Sequence, residues 1–247
     1  MRTGLRMSFG SSAFKLISIA AALGCGCGIA AAQSQISNAQ ISLAPSTVEA
    51  PVARFKESID AFAAADREKA PRQGGVLFVG SSTIRMWDTL ETQFDNLPIV
   101  VRRGFGGSRM SDCTYYLGNL VTPYKPRLVV VYAGDNDLNE GATPQDVLKS
   151  YSDFVDGVRR DLPGTRIAYV SIKPSPSRAN LIPAIRETNR LIENYSRKTQ
   201  NLDYIDVFTA MMASDGQPRH ELFGPDALHM NDAGYALWKN ILATHVH

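Results

Sequence analysis

The amino-acid sequence predicts an α/β fold: a central, mainly parallel five-stranded sheet with helices on both faces. Three observations carry this expectation. Five short segments, 76–79, 99–101, 128–132, 167–170 and 204–207, are almost wholly apolar, as strands covered on both faces must be. The segments between them repeat apolar residues at three- and four-residue intervals, the period of an amphipathic helix. Strand and helix signals therefore alternate, the pattern of successive βα units.

Residues 1–32 stand apart from this pattern. Arg2, Arg6 and Lys15 precede an apolar run from Leu16 to Ala32 that ends in Ala30-Ala31-Ala32-Gln33. A charged start, an apolar middle and small residues before a cut site predict a secretory signal peptide, and with it a periplasmic or secreted protein. A transmembrane anchor is the competing reading. Gly24, Gly26 and Gly28 leave the run short and mildly apolar for a span that needs ~20 apolar residues, so no stable membrane insertion is expected after cleavage. Ala22-Leu23-Gly24-Cys25 loosely resembles the bacterial lipoprotein pattern, which gives a lipid anchor at Cys25 as a second reading.

Gln33 to Pro51 is rich in Ser, Ala, Gln and Asn and predicts a flexible linker. A domain over 52–247 follows, opened by a helix at 52–69 in which Val52, Phe55, Ile59 and Phe62 share one face. Val76-Leu77-Phe78-Val79 ends in glycine, the mark of a buried strand meeting a turn. Further helices are expected at 111–120, 144–162, 181–199 and 231–243. Thr143-Pro144 and Asn231-Asp232 look like capped helix starts.

Composition narrows the class. Of 247 residues, 44% are hydrophobic and 20% charged, which excludes a disordered or collagen-like chain. The formal net charge of +2 gives no support to nucleic acid as a partner. Cleavage after Ala32 removes three of the 26 basic side chains and none of the 24 acidic ones, leaving the mature chain near neutrality. It also removes Cys25 and Cys27, so Cys113 remains alone and no internal disulfide can form.

Ligands of open parallel sheets bind in the loops beyond the carboxyl ends of the strands. Here those loops are 80–87, 104–112, 133–139, 173–178 and the stretch before the last helix. Gly80-Ser81-Ser82-Thr83 follows the first strand. A serine there can project its hydroxyl into the crevice with its amide at a helix start, or simply cap a short helix. Arg103-Gly104-Phe105-Gly106-Gly107-Ser108-Arg109 follows the second. Its glycines let amides approach a ligand closely, though a tight turn explains them as well. No phosphate-binding glycine pattern or Walker lysine is present.

Ala133-Gly134-Asp135-Asn136-Asp137 follows the third strand. The Asn136 amide can donate to an oxyanion without carrying charge; an Asx turn is the plainer reading. Asp135 and Asp137 alone do not define a metal site. Near the end stands Gly224-Pro225-Asp226-Ala227-Leu228-His229. A catalytic triad needs a base on the nucleophile and a carboxylate that holds the base in one tautomer. Of four histidines, His245 and His247 are terminal and His220 follows a turn, so His229 alone has an acid at this spacing just before a helix. A structural histidine is the alternative.

These segments, taken in order, resemble the four blocks of the SGNH (or GDSL) hydrolase family. Phe78-Val79-Gly80-Ser81-Ser82-Thr83 resembles the first and places the nucleophile at Ser82. Gly104-Phe105-Gly106-Gly107-Ser108 resembles the second, with Gly107 as an amide donor. Gly134-Asp135-Asn136-Asp137 matches the third, putting Asn136 in the oxyanion hole, and Asp226-Ala227-Leu228-His229 matches the last. The resemblance runs from about Gly74 to the C-terminus and implies a flavodoxin-like three-layer α/β/α sandwich. One position departs from it: Ser81 stands where the family usually has aspartate, which makes Ser81 a rival nucleophile. The α/β-hydrolase elbow Gly-x-Ser-x-Gly is absent, because Ile84 occupies the place of its second glycine.

The resemblance implies a serine esterase or acylhydrolase with catalytic Ser82, Asp226 and His229, oxyanion donors Gly107 and Asn136, and no metal or other cofactor. The expected substrate is a small-molecule or glycan ester, such as an acetylated glycan or another short-chain acyl ester. Two alternatives use the same fold, a non-catalytic exported glycan-binding protein and a glycan O-acyltransferase. Oligomeric state is not indicated.

Overall fold

The computed structural model describes residues 51–97 and 99–247. The expected signal segment, and all but the last residue of the expected linker, lie outside the described residues. Chain order begins with α1 (Pro51–Glu68), β1 (Val76–Gly80), α2 (Ser82–Arg85), α3 (Leu90–Gln93) and β2 (Val100–Gly104). It continues with α4 (Met110–Tyr115), α5 (Leu117–Leu120), β3 (Leu128–Tyr132), α6 (Asp135–Asn139), α7 (Pro144–Asp161) and β4 (Arg166–Val170). It closes with α8 (Ile182–Arg197), β5 (Leu202–Ile205) and α9 (Asp232–Leu242).

The strands lie in the order β2-β1-β3-β4-β5 and every pair is parallel. This is the flavodoxin-like order, in which the chain reverses its winding between β1 and β3 and opens a crevice at their carboxyl ends. Alternate residues of each strand enter two separate cores. Leu77, Val79, Val129, Val131, Ile167 and Tyr169 pack with α1, α4, α5, α7 and α8. Val76, Phe78, Leu128, Val130, Tyr132, Ala168 and Val170 pack on the other face with Trp87, Leu90 and the Tyr235–Trp238 side of α9. The continuous apolar runs follow from this double burial.

Two helix starts behave as the sequence leads one to expect. The Thr143 hydroxyl accepts from the Asp146 amide at 3.2 Å, and Asn231 Oδ1 accepts from the Gly234 amide at 3.1 Å. Each satisfies a backbone donor that the first turn leaves without a helical partner.

The outer strands depart from the apolar pattern. β2 runs on through Arg102 and Arg103 because the edge of the sheet offers them partners. Arg102 pairs with Asp88 and Glu91, and Arg103 with Asp66 of α1. β5 lies at 202–205 instead of 204–207. Beyond it, the amides of Val207 and Phe208 turn inward to the buried Ser171 hydroxyl, each at 2.9 Å. The expected helix over 111–120 is two short helices broken at Tyr116. The segment that opens the expected 181–199 helix belongs to a 3-10 stretch, Pro176–Leu181, and α8 follows it.

Candidate active site

Close packing fixes the start of the site. Gly80 ends β1 so near β3 that a Cβ on it would stand 1.9 Å from the Tyr132 carbonyl oxygen. The chain then turns directly into α2, with Ser81 and Ser82 at its beginning. Ser81 is buried and its hydroxyl has no hydrogen-bond partner among the described residues. Ser82 faces the crevice, and its hydroxyl lies 2.9 Å from His229 Nε2. The structure therefore brings Ser82, and not its rival Ser81, to the histidine.

Asp226 and His229 share one loop between a 3-10 turn (His220–Leu222) and α9. An antiparallel bridge between Phe223 and Met230 closes it, and the Gly224 amide donates to the His229 carbonyl at 2.8 Å. Asp226 Oδ2 stands 2.6 Å from His229 Nδ1. Its other oxygen accepts from the amides of Leu228 at 3.0 Å and His229 at 2.9 Å. The bond to the His229 ring, followed by the two amide bonds, holds the Asp226 pKa down to about 2. A carboxylate ionised at neutral pH beside Nδ1 assigns the ring proton to that nitrogen and leaves Nε2 to accept from the Ser82 hydroxyl. Between them, Ala227 is held at φ +53°. Its carbonyl accepts from the Ser177 amide at 3.0 Å, and Ser175 Oγ donates to the Leu228 carbonyl at 3.3 Å.

The second and third loops bring their donors to the same crevice. Gly107 adopts φ +77°, a left-handed conformation that disfavours a side chain. Its carbonyl is held by Arg54 of α1 at 3.1 Å. Asn136 Nδ2 donates one hydrogen to the Ser108 carbonyl at 3.0 Å, which leaves its second hydrogen available. Asp137 ties the two loops together, since its carboxylate oxygens lie 3.1 and 3.2 Å from the Met110 amide at the head of α4. Burial raises the Asp137 pKa to about 6 despite that amide.

Behind Asn136 lies a buried ionic group. Asp135 meets Lys173 Nζ at 3.2 Å and Arg178 Nη1 at 3.0 Å, with both Asp135 and Lys173 almost inaccessible. Burial opposes the Asp135 charge, but Lys173 and Arg178 outweigh it and keep its pKa below the ordinary value. Burial lowers the Lys173 pKa, and Asp135 offsets part of that effect. Lys173 Nζ also reaches the Tyr132 hydroxyl at 3.2 Å. Arg178 donates through Nη2 to Asn136 Oδ1 at 3.0 Å.

Ser58, Ser82, Arg85, Gly106, Gly107, Asn136, Leu228 and His229 line an open crevice of about 440 Å³. All five residues expected from the sequence thus meet in one place, with Asp226 behind His229. Arg54, Arg85, Lys173 and Arg178 also belong to the site's surroundings, and no sequence motif singles them out; Asp135 is legible only as part of its loop, without its ionic partners. The signal for Lys173 and Arg178 was their loop, 173–178, which follows β4 at the carboxyl edge yet contains no familiar catalytic pattern. Among the described residues no group of three or more metal-ligating side chains occurs, and no helix is long and apolar enough to cross a membrane.

A flavodoxin-like sheet that brings serine, histidine and aspartate to its crevice has the layout of a serine-type hydrolase. Residues 73–237 match the GDSL-like Lipase/Acylhydrolase family. The chain belongs to that family, whose members hydrolyse ester bonds. None of the curated proteins matches it. Solved structures with the same fold include a GDSL-like lipase from Bacteroides thetaiotaomicron, 19% identical over 78% of this chain and 97% of the other, with TM-score 0.63. A lipase/acylhydrolase from Enterococcus faecalis is 18% identical over 71% and 95%, with TM-score 0.60. A family 3 carbohydrate esterase from Clostridium thermocellum is 16% identical over 68% and 92%, with TM-score 0.55.

Proposed function

We propose that this chain is an exported serine esterase that removes short acyl groups from a glycan or small-molecule ester through an acyl-enzyme intermediate. The observation that carries the reading is the unbroken relay from Asp226 to His229 at 2.6 Å and from His229 to Ser82 at 2.9 Å. His229 Nε2 takes the Ser82 proton as Oγ bonds to the ester carbonyl carbon, and Asp226 stabilises the imidazolium that forms. The carbonyl π electrons move onto the oxygen. That oxyanion is held by the amides of Ser82 and Gly107 and by Asn136 Nδ2. Collapse expels the alcohol, which takes the proton from His229. Water, deprotonated by the same base, then releases the carboxylic acid.

A short acyl group fits the crevice, because Leu228 is the one aliphatic side chain among its lining residues and a long chain needs a continuous apolar wall. A glycan substrate is supported by the fold shared with a carbohydrate esterase. Export rests on the character of residues 1–32.

A fluorophosphonate probe followed by peptide mapping tests the nucleophile. The expected adduct is on Ser82, and Ser82→Ala should lose both the adduct and hydrolysis of 4-nitrophenyl acetate while keeping its circular dichroism. An adduct on Ser81, or none under conditions that label a control hydrolase, refutes the assignment. Running the reaction with an acceptor sugar separates hydrolysis from acyl transfer.

A further inference from the structure

Arg85 is the one arginine that lines the crevice, whereas arginines on neighbouring elements are neutralised by ion pairs. Arg54 pairs with Glu140, Arg102 with Asp88 and Glu91, Arg109 with Asp112 and Glu140, and Arg178 with Asp135. Arg85 is the exception. Its main chain is anchored, the amide donating to the Ser81 carbonyl at 3.1 Å and the carbonyl accepting from Arg102 Nη1 at 2.7 Å. Its guanidinium has no ion pair or hydrogen bond among the described residues. The head group lies flat enough on the glycine loop that a Cβ added to Gly106 would stand 3.0 Å from Nε and 3.2 Å from Nη2. It thus borders the residue next to Gly107, on the same short helix as Ser82.

Charge in the crevice is one-sided. No carboxylate lines it, and Arg85 is its one permanently charged lining residue. A guanidinium presents a planar fork that matches a carboxylate through two parallel hydrogen bonds. Arg85 is itself exposed, so its fork is open to an incoming carboxylate and the attraction is screened by salt. A neutral substrate would leave this fork solvated and unused.

We propose that Arg85 is a specificity-determining residue that binds a carboxylate on the ester substrate, so that the preferred substrates are short acyl esters of carboxylate-bearing alcohols such as acidic sugars. This rests on the esterase reading and names the substrate class of that same site. Arg85 binds; it takes no part in proton transfer.

The test compares 4-nitrophenyl acetate with 3-carboxy-4-nitrophenyl acetate, whose leaving group is charged, and with 4-nitrophenyl hemisuccinate, whose acyl group is charged. The wild type should favour the ester with the charged leaving group, after correction for the intrinsic reactivity of each ester. Arg85→Gln should lower that preference by about tenfold, the low end for one charge-assisted contact, mainly through KM. Arg85→Lys should restore part of it. Added salt should weaken the preference in the wild type and in Arg85→Lys, and leave Arg85→Gln unchanged. An unchanged charged-to-neutral ratio in Arg85→Gln overturns the proposal, and a preference confined to the hemisuccinate overturns the assignment to the alcohol side.

Binding of the intact charged and neutral acetates to Ser82→Ala and to Ser82→Ala/Arg85→Gln, measured by calorimetry, reads Arg85 without turnover. If the wild type hydrolyses none of the three esters, the esterase reading fails. The Arg85 inference then stands or falls on whether the charged ester binds Ser82→Ala more tightly than the double variant.

Discussion

Arg178 and Asn136 are joined by a 3.0 Å hydrogen bond from the guanidinium Nη2 to the amide oxygen, and this contact decides which end of the Asn136 side chain faces the crevice. An amide can flip about its last torsion, and only one of the two orientations presents N–H to an oxyanion. Arg178 engages the oxygen, Ser108 takes one hydrogen of the nitrogen, and Asp135 fixes Arg178 in turn. On the proposed mechanism, Arg178 is a positioning residue acting through Asn136.

The consequence is a coupling that a double-mutant cycle can measure. Asn136→Ala should lower kcat by about 10²–10³, the cost of one oxyanion donor. Arg178→Met should lower kcat by about tenfold or more with a smaller effect on KM, because a misdirected amide mainly harms the transition state. In the Asn136→Ala background, Arg178→Met should cost little further. Equal and additive losses in both backgrounds would show that Arg178 acts elsewhere. Arg178→Lys should rescue poorly, since one ammonium lacks the fork that reaches Asp135 and Asn136 together.

How much of this was legible in the sequence depended on whether a residue's role is local. The strands could be read because double burial leaves continuous apolar runs such as Leu128–Tyr132. Asp226 and His229 could be read because three residues of separation already bring them together. Ser82 could be read only through its place in an ordered set of blocks, since Ser81 beside it is chemically identical. Only the path of the chain separates the two, burying one hydroxyl and turning the other toward His229. Arg178 and Asn136 are 42 positions apart, and Arg54 reaches Gly107 across 53. No local pattern announces such pairs. Arg102 and Arg103 misled in the opposite direction, because an edge strand tolerates charges that find partners across it.

Asp226→Asn should lower kcat by about 10²–10⁴, because an amide at Nδ1 permits the wrong imidazole tautomer. The measurement is initial rate on 4-nitrophenyl acetate at saturating substrate. Stability should respond as well, with a definite sign. The folded Asp226 pKa of about 2 lies below the ordinary carboxylate value. Its stabilising contribution is therefore present above roughly pH 4 and is lost as pH falls toward 2. The difference in melting temperature between wild type and Asp226→Asn should narrow over that interval. A constant difference would mean that the ring and amide bonds to this carboxylate do not form.

Asp137 carries the opposite sign. Its folded pKa of about 6 lies above the ordinary aspartate value because burial disfavours the charge. Its contribution is therefore most favourable below roughly pH 4 and is lost as pH rises through 6. Two pKa units correspond to on the order of 3 kcal/mol. Urea unfolding of wild type and Asp137→Asn at pH 4 and pH 7 isolates the effect, since other groups titrate alike in both proteins. The variant should improve relative to wild type on going to pH 7. Parallel pH profiles would show that burial does not raise the Asp137 pKa above its unfolded value.

Gly107→Ala tests the proposed Gly107 amide donor without removing a side chain. At φ +77° the new methyl group carries a left-handed conformation, which costs an L-residue about 1–2 kcal/mol. Space is not the main obstacle, because the added Cβ would meet only Arg54 Nη2, at 3.4 Å. The backbone should relieve the strain by rotating the peptide, which moves the Gly107 amide away from the crevice. Global stability should fall by no more than the conformational cost, while kcat should fall about tenfold to a hundredfold with Ser82 and Asn136 still donating. Arg54→Met supplies the control, since it frees the Gly107 carbonyl without imposing strain and should cost much less. If Gly107→Ala loses stability but keeps full kcat, the oxyanion is held by the other two donors alone.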